Sequence, residues 1–497
     1  SDIPNTEEDV SGDADGTQTA SGESEGDIAV SSESEDASLD VGITTPEDEL
    51  TEEMDQVAKD GDHFEKVSES LEAYQALITQ AMDGGKGIDP ITAESIRIGL
   101  EHMDESFAGD QLIPAMEAFG QTSSRQYATH VSLEGIQSGF KATIEAGKRA
   151  MLKLFDMLYE LWTKLTGGVE RAKQRVTKIE DAIGKLKEDS VGYANTTVKG
   201  KARLSRGVEF VGNDIGAIKQ VGEVADYMYG AYPAAVKGLI KDTIKVFKDT
   251  ENPILKGEDE IDAIRGRMVL EFLELPKKHF KPLPGSTVAD KKELPPSIAK
   301  YDGVTRSHVL PGNFAMMIYL KPIAIGGNQD DNAKLMVGTA FAFHRVFNVE
   351  FGRLNVKPDT KSEETYGIPD KKDLVTTKNE IGKVLTRLDK ASAVEKEYKD
   401  IKKDIKRQYD GVVYATSNYG QRGDVINKIF HPGLRALNSL VRTLVHPAGQ
   451  FNGYVVSTMH AYLSVLEHNV KEFAKASKPP EVKEGKYRKD QKALPAS

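Results

Sequence analysis

Apolar residues recur three and four positions apart along most of this chain, the spacing of a helix face. In HFEKVSESLEAYQALITQAMDGG the positions are Phe64, Val67, Leu71, Tyr74, Ile78 and Ala81, and Gly84 and Gly85 supply a stop. GIDPITAESIRIGLEHMDESF follows, with Asp89 suited to cap a second helix and Pro90 to its first position, so the pair reads as a hairpin. From Ser132, Ile136, Phe140, Ile144, Met151, Phe155, Leu158, Trp162 and Leu165 form one stripe, interrupted by enough Lys, Arg, Asp and Glu to rule out a membrane span. The stripe suits a core-facing bundle helix; as a basic amphipathic helix with aromatics it also suits a lipid surface, with Phe155 and Trp162 as the membrane-facing candidates. Gly167 and Gly168 read as its end. Beyond them, Val169, Ala172, Val176, Ile179, Ile183 and Leu186 keep heptad spacing, predicting an antiparallel partner helix or a short coiled coil.

The pattern lapses in SVGYANTTVKGKARLSRG, which carries Lys199, Lys201, Arg203 and Arg206 and reads as a basic connector. Helical spacing returns over 208–249, with a break expected near Pro233 and a stripe of Lys237, Lys241, Lys245 and Lys248. Such lysines suit phosphate contacts, or form the wet side of an ordinary helix. Five prolines between 275 and 297 mark a boundary. After it, HVLPGNFAMMIYLKPIAIGG and LMVGTAFAFHRVFNVEFGRL hold short β-branched and aromatic runs between Gly and Pro, as strands and turns require. GGNQDDNAK between them lacks the full acidic set of a calcium loop and reads as a polar turn. The last third is helical again: Ile381, Val384, Leu388 and Ala391, then Val394, Tyr398, Ile401 and Ile405, then Leu434 through Phe473.

The predicted fold is therefore mainly α: helical bundles and heptad-type helices with a small β element near 300–356, preceded by a disordered acidic leader. The segments are a leader over 1–55, an N-terminal helical domain over 56–189, a basic connector with helices and a Pro-rich boundary over 190–297, a β element over 298–370, a C-terminal helical domain over 371–475 and a loose basic tail over 476–497.

Charge sharpens the first boundary. The net charge is -13, yet residues 1–60 hold twenty Asp and Glu against Lys59 alone, so the remaining chain carries about +6. A segment with so few apolar and so many like-charged residues cannot bury enough surface to offset chain entropy. It serves either as a solubilising tail or as a mask, nucleic-acid mimic or processing region for the basic body. Cysteine is absent, which excludes disulfides, thiolate metal sites and cysteine nucleophiles. Ser1 in place of Met, without a signal-peptide pattern, reads as an end made either by proteolysis or by an artificial start of the chain.

Catalytic patterns are missing. No Gly-rich loop ending in Gly-Lys-Ser/Thr, dinucleotide fingerprint, nucleophile elbow or His-Glu-x-x-His is present. His460 and His468, two turns apart on one helix, read as satisfied structural histidines. Arg422-Gly423-Asp424 is too short a word to carry meaning. No enzyme activity, metal or cofactor is expected.

The segments EKVSESLEAYQALITQAMDGGKGIDPITAESIRIGLEHMDESF and SSRQYATHVSLEGIQSGFKATIEAGKRAMLKLFDMLYELWTKLTGG resemble the N-terminal region of internal head proteins of phiKZ-like jumbo tailed phages. HVLPGNFAMMIYL resembles their β element. The resemblance implies a virion protein packed in the head with phage DNA and other head-interior proteins, present in host cytoplasm during assembly and, in some members, ejected with the genome. It also implies trimming by a prohead protease that cuts after small-x-Glu. Ser21-Gly22-Glu23 and Ser31-Ser32-Glu33 fit in the leader, whereas Ser70-Leu71-Glu72 falls in a predicted helix and should be protected. The alternatives are a helical scaffold that self-associates without DNA contact and a membrane-active delivery protein using the 136–165 helix.

Overall fold

The computed structural model describes residues 125–255, 261–320, 347–356, 363–418, 429 and 431–477, with individual positions between 56 and 99. The leader, GGNQDDNAK and the Arg-Gly-Asp triplet lie outside the described residues. At the early positions the described residues between 67 and 80 and between 91 and 99 are helical, with Val67, Leu71, Ile78 and Ile96 buried. The expected cap is in place: Asp89 Oδ1 accepts from the backbone N–H of Ile91 and Thr92, both at 3.0 Å, and Thr92 Oγ1 donates to Oδ2 at 2.8 Å. Those hydrogen bonds, led by the Thr92 amide, hold the Asp89 carboxyl below its ordinary range.

The main body runs α1 (Arg125–Gly184), β1 (Asn195–Lys199), β2 (Ser205–Arg206), β3 (Glu209–Phe210), α2 (Ile215–Asp226), α3 (Tyr232–Leu255), α4 (Ile261–His279), β4 (Thr287–Val288), α5 (Pro296–Ala299), β5 (Thr305–Arg306), β6 (Phe314–Leu320), β7 (Phe347–Arg353), β8 (Glu363–Gly367), α6 (Lys371–Leu388), α7 (Ala391–Asn418) and α8 (His431–Ala476). The fold is mainly α, with a small antiparallel β element where the sequence places one.

The last helix is the axis. From Leu434 to Phe473 α8 is buried over most of its circumference, leaving one partly exposed stripe through Asn438, Arg442, His446, Gln450, Ser457, His460, Ser464 and Glu467. Its sequence supplies apolar or small residues around roughly the remaining two thirds, a wider apolar face than a surface helix carries. α1 runs along it, α6 and α7 pack on α1, and β7 lies across it through Phe351, whose ring meets Phe451 edge-on at 5.2 Å and Tyr454 at 5.2 Å. One hydrophobic cluster draws on residues from Ile144 to Phe473, so the segments expected as N- and C-terminal helical domains share a core.

β6 is buried on both faces. Met316 and Ile318 face the main core, while Ala315, Met317 and Tyr319 join Leu294, Ile298, Val304 and Leu354 in a second, smaller one. The four-stranded sheet is ordered β4-β5-β6-β7, with Phe314 opposite Arg353 and Leu320 opposite Phe347. It begins at Thr287, inside the segment expected as a Pro-rich boundary.

Three expectations are corrected. α1 does not end at Gly167 and Gly168 but continues through them to Gly184, so the heptad run is the second half of the same helix. Gly168 is buried, and a Cβ there would lie 2.7 Å from Val456 Cγ1 of α8. The missing side chain permits close helix approach; it does not stop the helix. The basic connector is ordered structure: β1 pairs antiparallel with β8, Asn195 opposite Gly367 and Lys199 opposite Glu363. Near Pro233 the chain stays helical through a π-helical turn at Tyr227–Ala231. Proline lacks the N–H for the carbonyl four residues back and crowds it, and the widened turn relieves that conflict.

Tyrosine hydroxyls tie the surroundings to α8. Tyr229 Oη donates to Asn452 Oδ1 at 2.6 Å, Tyr232 Oη to the Leu444 carbonyl at 2.5 Å and Tyr366 Oη to Asn469 Oδ1 at 2.8 Å. From α8 itself, Tyr454 Oη donates to the Pro311 carbonyl at 3.0 Å and Tyr462 Oη to the Val211 carbonyl at 3.3 Å. Each hydrogen bond satisfies a polar group in an apolar setting.

Two measurements follow from this packing. Gly167 is exposed, with Arg171 Nη1 3.8 Å from a would-be Cβ, so Gly167→Ala should stabilise by up to about 1 kcal/mol through helix propensity. Gly168→Leu should destabilise by about 1–3 kcal/mol through overpacking against Val456. Urea titrations of both variants will show opposite signs; a loss of equal size at both positions would contradict the close approach.

The second concerns pH. Burial pushes Tyr227 and Tyr366 up to about 12 and Tyr229, Tyr232, Tyr454 and Tyr462 well above the tyrosine range. Unfolded tyrosines ionise near ~10. The stabilisation is complete below that pH and is lost as pH rises from about 10 through the folded values, because there the unfolded chain has given up protons that the fold retains. Tyrosinate absorbance should therefore appear together with loss of helical ellipticity; titration of these hydroxyls with ellipticity intact would refute the ladder.

Candidate nucleic-acid interface

α3 positions the lysine stripe. Val236, Leu239, Ile240, Val246 and Phe247 are buried, which turns Lys237, Lys241, Lys245 and Lys248 outward, all four exposed. At 100° per residue the four fall within an arc of about 80° and span about 16 Å of helix. Lys237 Nζ lies 4.0 Å from Glu397 of α7. The acid nearest in sequence is drawn to the side: Asp242 accepts from Lys278 Nζ at 2.6 Å and meets His279 Nε2 at 2.9 Å, both on α4. The Lys278 hydrogen bond, followed by that of His279, holds its carboxyl below the ordinary range against the opposing effect of burial.

The other four basic candidates do not form a comparable surface. Lys201 is 2% exposed and its Nζ sits 2.6 Å from Glu364 Oε2 on β8. It is a structural cation, which corrects its assignment to phosphate contact. Arg206 reaches Asp214 at 3.5 Å, and its Nε is buried. Arg203 is half-buried; both guanidiniums lie close enough to Tyr454 to oppose, in part, the effect of burial on its hydroxyl. Lys199 is exposed on the β1–β8 ribbon, opposite Glu363. Sequence spacing gave no sign of Glu364, 163 positions from Lys201. The strand register alone brings them together.

The membrane-facing assignment is corrected as well. Phe155 is fully buried and Trp162 is 3% exposed; both pack on Tyr398 of α7, with centroids at 6.4 and 5.1 Å. Seated between α7 and α8, that face has no side chain to offer a lipid surface in this fold. Among the described residues no helix is long and apolar enough to cross a membrane.

His460 and His468 both meet protein groups. His460 Nδ1 lies 3.1 Å from Arg175 Nη1, while Arg175 Nε and Nη2 each reach Glu467 at 2.9 Å. His468 Nε2 lies 2.7 Å from Thr196 Oγ1, and burial first of all lowers its proton affinity. No group of three or more His, Asp or Glu suited to a metal occurs among the described residues. Both leader cleavage motifs, Ser21 with Glu23 and Ser31 with Glu33, lie outside them. At the third motif, Ser70 and Leu71 are helical and Leu71 is 2% exposed, a geometry a protease cannot bind as an extended chain.

What the fold and its surface define is a mainly α-helical structural protein built around one buried helix, with a basic helix face. A family model for phiKZ-like phage internal head proteins matches residues 27–468. The chain belongs to that family, and its place is the interior of the virion head. No curated protein and no solved structure matches it.

The Lys201–Glu364 pair gives a direct test of its structural role. Glu364→Gln leaves a buried ammonium without its counter-charge and should cost about 1–3 kcal/mol, a figure reduced from the fully buried case because Glu364 is partly exposed. Lys201→Met, which removes the charge with its desolvation cost, should cost less. Urea midpoints of the two variants give the comparison; equal losses would place the contribution in packing alone.

Proposed function

We propose that this protein packs inside the head beside the genome and is matured there by removal of its acidic leader. The observation that carries the reading is the charge division along a chain of this family: -19 over residues 1–60 and about +6 over the rest. A leader of that charge opposes approach to a polyanion, and cleavage after Glu23 or Glu33 removes seven or ten of its carboxylates, which takes the chain from -13 to -6 or -3 and lessens that opposition. Cleavage after Glu23 or Glu33 would act on a sequence too polar to fold by itself, where a protease finds extended chain. The body then enters the mature particle, and delivery with the DNA is the corresponding later step. The prohead protease, neighbouring head-interior proteins and DNA are the partners this reading requires.

Mass spectrometry of purified mature heads should recover the protein with an N-terminus at Ser24 or Ser34 and no peptides from upstream. Recovery of the intact leader from mature heads would remove cleavage from the reading. Absence of the protein from purified heads would remove the reading itself.

A further inference from the structure

The geometry assigns the outer face of α3 as a phosphate-contacting surface for duplex DNA, with Lys241, Lys245 and Lys248 as the contacting residues and Lys237 at its margin. The inference rests on the proposed location beside the genome and names the part of the surface that meets it.

Three observations separate this stripe from the other basic residues. The first is orientation: Lys241, Lys245 and Lys248 are exposed on a helix whose opposite face, through Leu239, Ile240, Val246 and Phe247, is locked in the core. Their backbone positions are therefore fixed, and only the flexible side chains need order on binding. The second is charge balance. Asp242 and Asp249 lie about a quarter-turn round the helix from the centre of the stripe. Asp242 is occupied by Lys278 and His279. Glu271 and Glu274 are exposed on the adjoining α4, and Glu397 of α7 draws Lys237 alone. The acids flank the stripe and leave its middle positive. The third is dimension: a stripe of about 16 Å runs beside several phosphates of one strand, which rise ~3.4 Å apart along the duplex axis, and successive lysines a turn apart reach separate ones.

Such a surface is indifferent to sequence. Lysine ammoniums are point charges that reward phosphates without reading base edges, and no element of the stripe is shaped to enter a groove. This suits a protein that meets the genome wherever it is packed.

The experiment is fluorescence anisotropy with a random-sequence duplex and the chain in two forms, with its leader and beginning at Ser34, over a series of NaCl concentrations. Replacing Lys241, Lys245 and Lys248 together by Gln should reduce the slope of log K against log salt by about 2.7, about 0.9 per phosphate released. It should also weaken binding at least tenfold at 0.1 M salt. The triple Arg variant should retain both. A control removing the same charge elsewhere, Lys178 in the last turns of α1 with Lys185 and Lys187 just beyond its end to Gln, should leave the slope within about one unit of the parent. Equal effects of the two Gln triples would reduce the matter to net charge and overturn the assignment, as would an unchanged slope in the α3 variant or no binding at 50 mM salt by the parent beginning at Ser34. Circular dichroism of each variant guards the comparison, and these exposed substitutions should leave melting unchanged. Failure here with the protein still recovered from purified heads would leave the location standing and remove only this surface.

Discussion

The structure depends on burying one long helix. α8 is enclosed by α1, α3, α6, β1 and β7, elements from every described part of the body. Several polar groups on its enclosed faces are met, Asn452 Oδ1 by Tyr229, Asn469 by Tyr366 and Asn213, Glu467 by Arg175 and His468 by Thr196, whereas Asn438 Oδ1, Ser439 Oγ and Asn452 Nδ2 are buried without a protein hydrogen bond. Because α8 follows the other described elements in sequence, those elements lack their common packing partner until its residues are present. Their local propensity holds them as helices; the tertiary arrangement comes from α8.

What was legible in the sequence was what is local. The Asp89 cap needs only residues two and three positions on, and the core faces of α1, α6 and α7 need only helical spacing. The errors share one cause. Gly167-Gly168 looks the same whether a helix ends or another helix approaches closely, and the deciding residue, Val456, lies 288 positions away. β1 was read as connector because its partner β8 comes 168 residues later, and a strand with one buried and one exposed face, Thr196 and Val198 inward, is only five residues long. Phe155 and Trp162 satisfied a lipid-facing and a core-facing reading equally until Tyr398 was placed against them.

The basic residues show the same limit in electrostatic form. Lys201 and Lys241 are indistinguishable as letters, and both stand in basic, polar surroundings. The fold buries one against Glu364 and turns the other to solvent. A buried ammonium must be paired, because its desolvation is not recovered otherwise, whereas an exposed one remains available to an external anion at small cost. Counting cations along the chain finds both, and only burial sorts them.

Leader and stripe act over different distances, and this separates their roles in the proposed function. Approach to a polyanion responds to the summed charge of the chain and weakens as salt rises, while contact is decided by charges within about 8 Å of it, the screening length at physiological ionic strength. Removing the seven or ten carboxylates upstream of the cut changes the first quantity without touching a residue of α3. The second is set by Val246, Phe247 and the other buried residues that fix which way the lysines face. Cutting the leader can therefore change the response of the body to DNA without any conformational change in the fold.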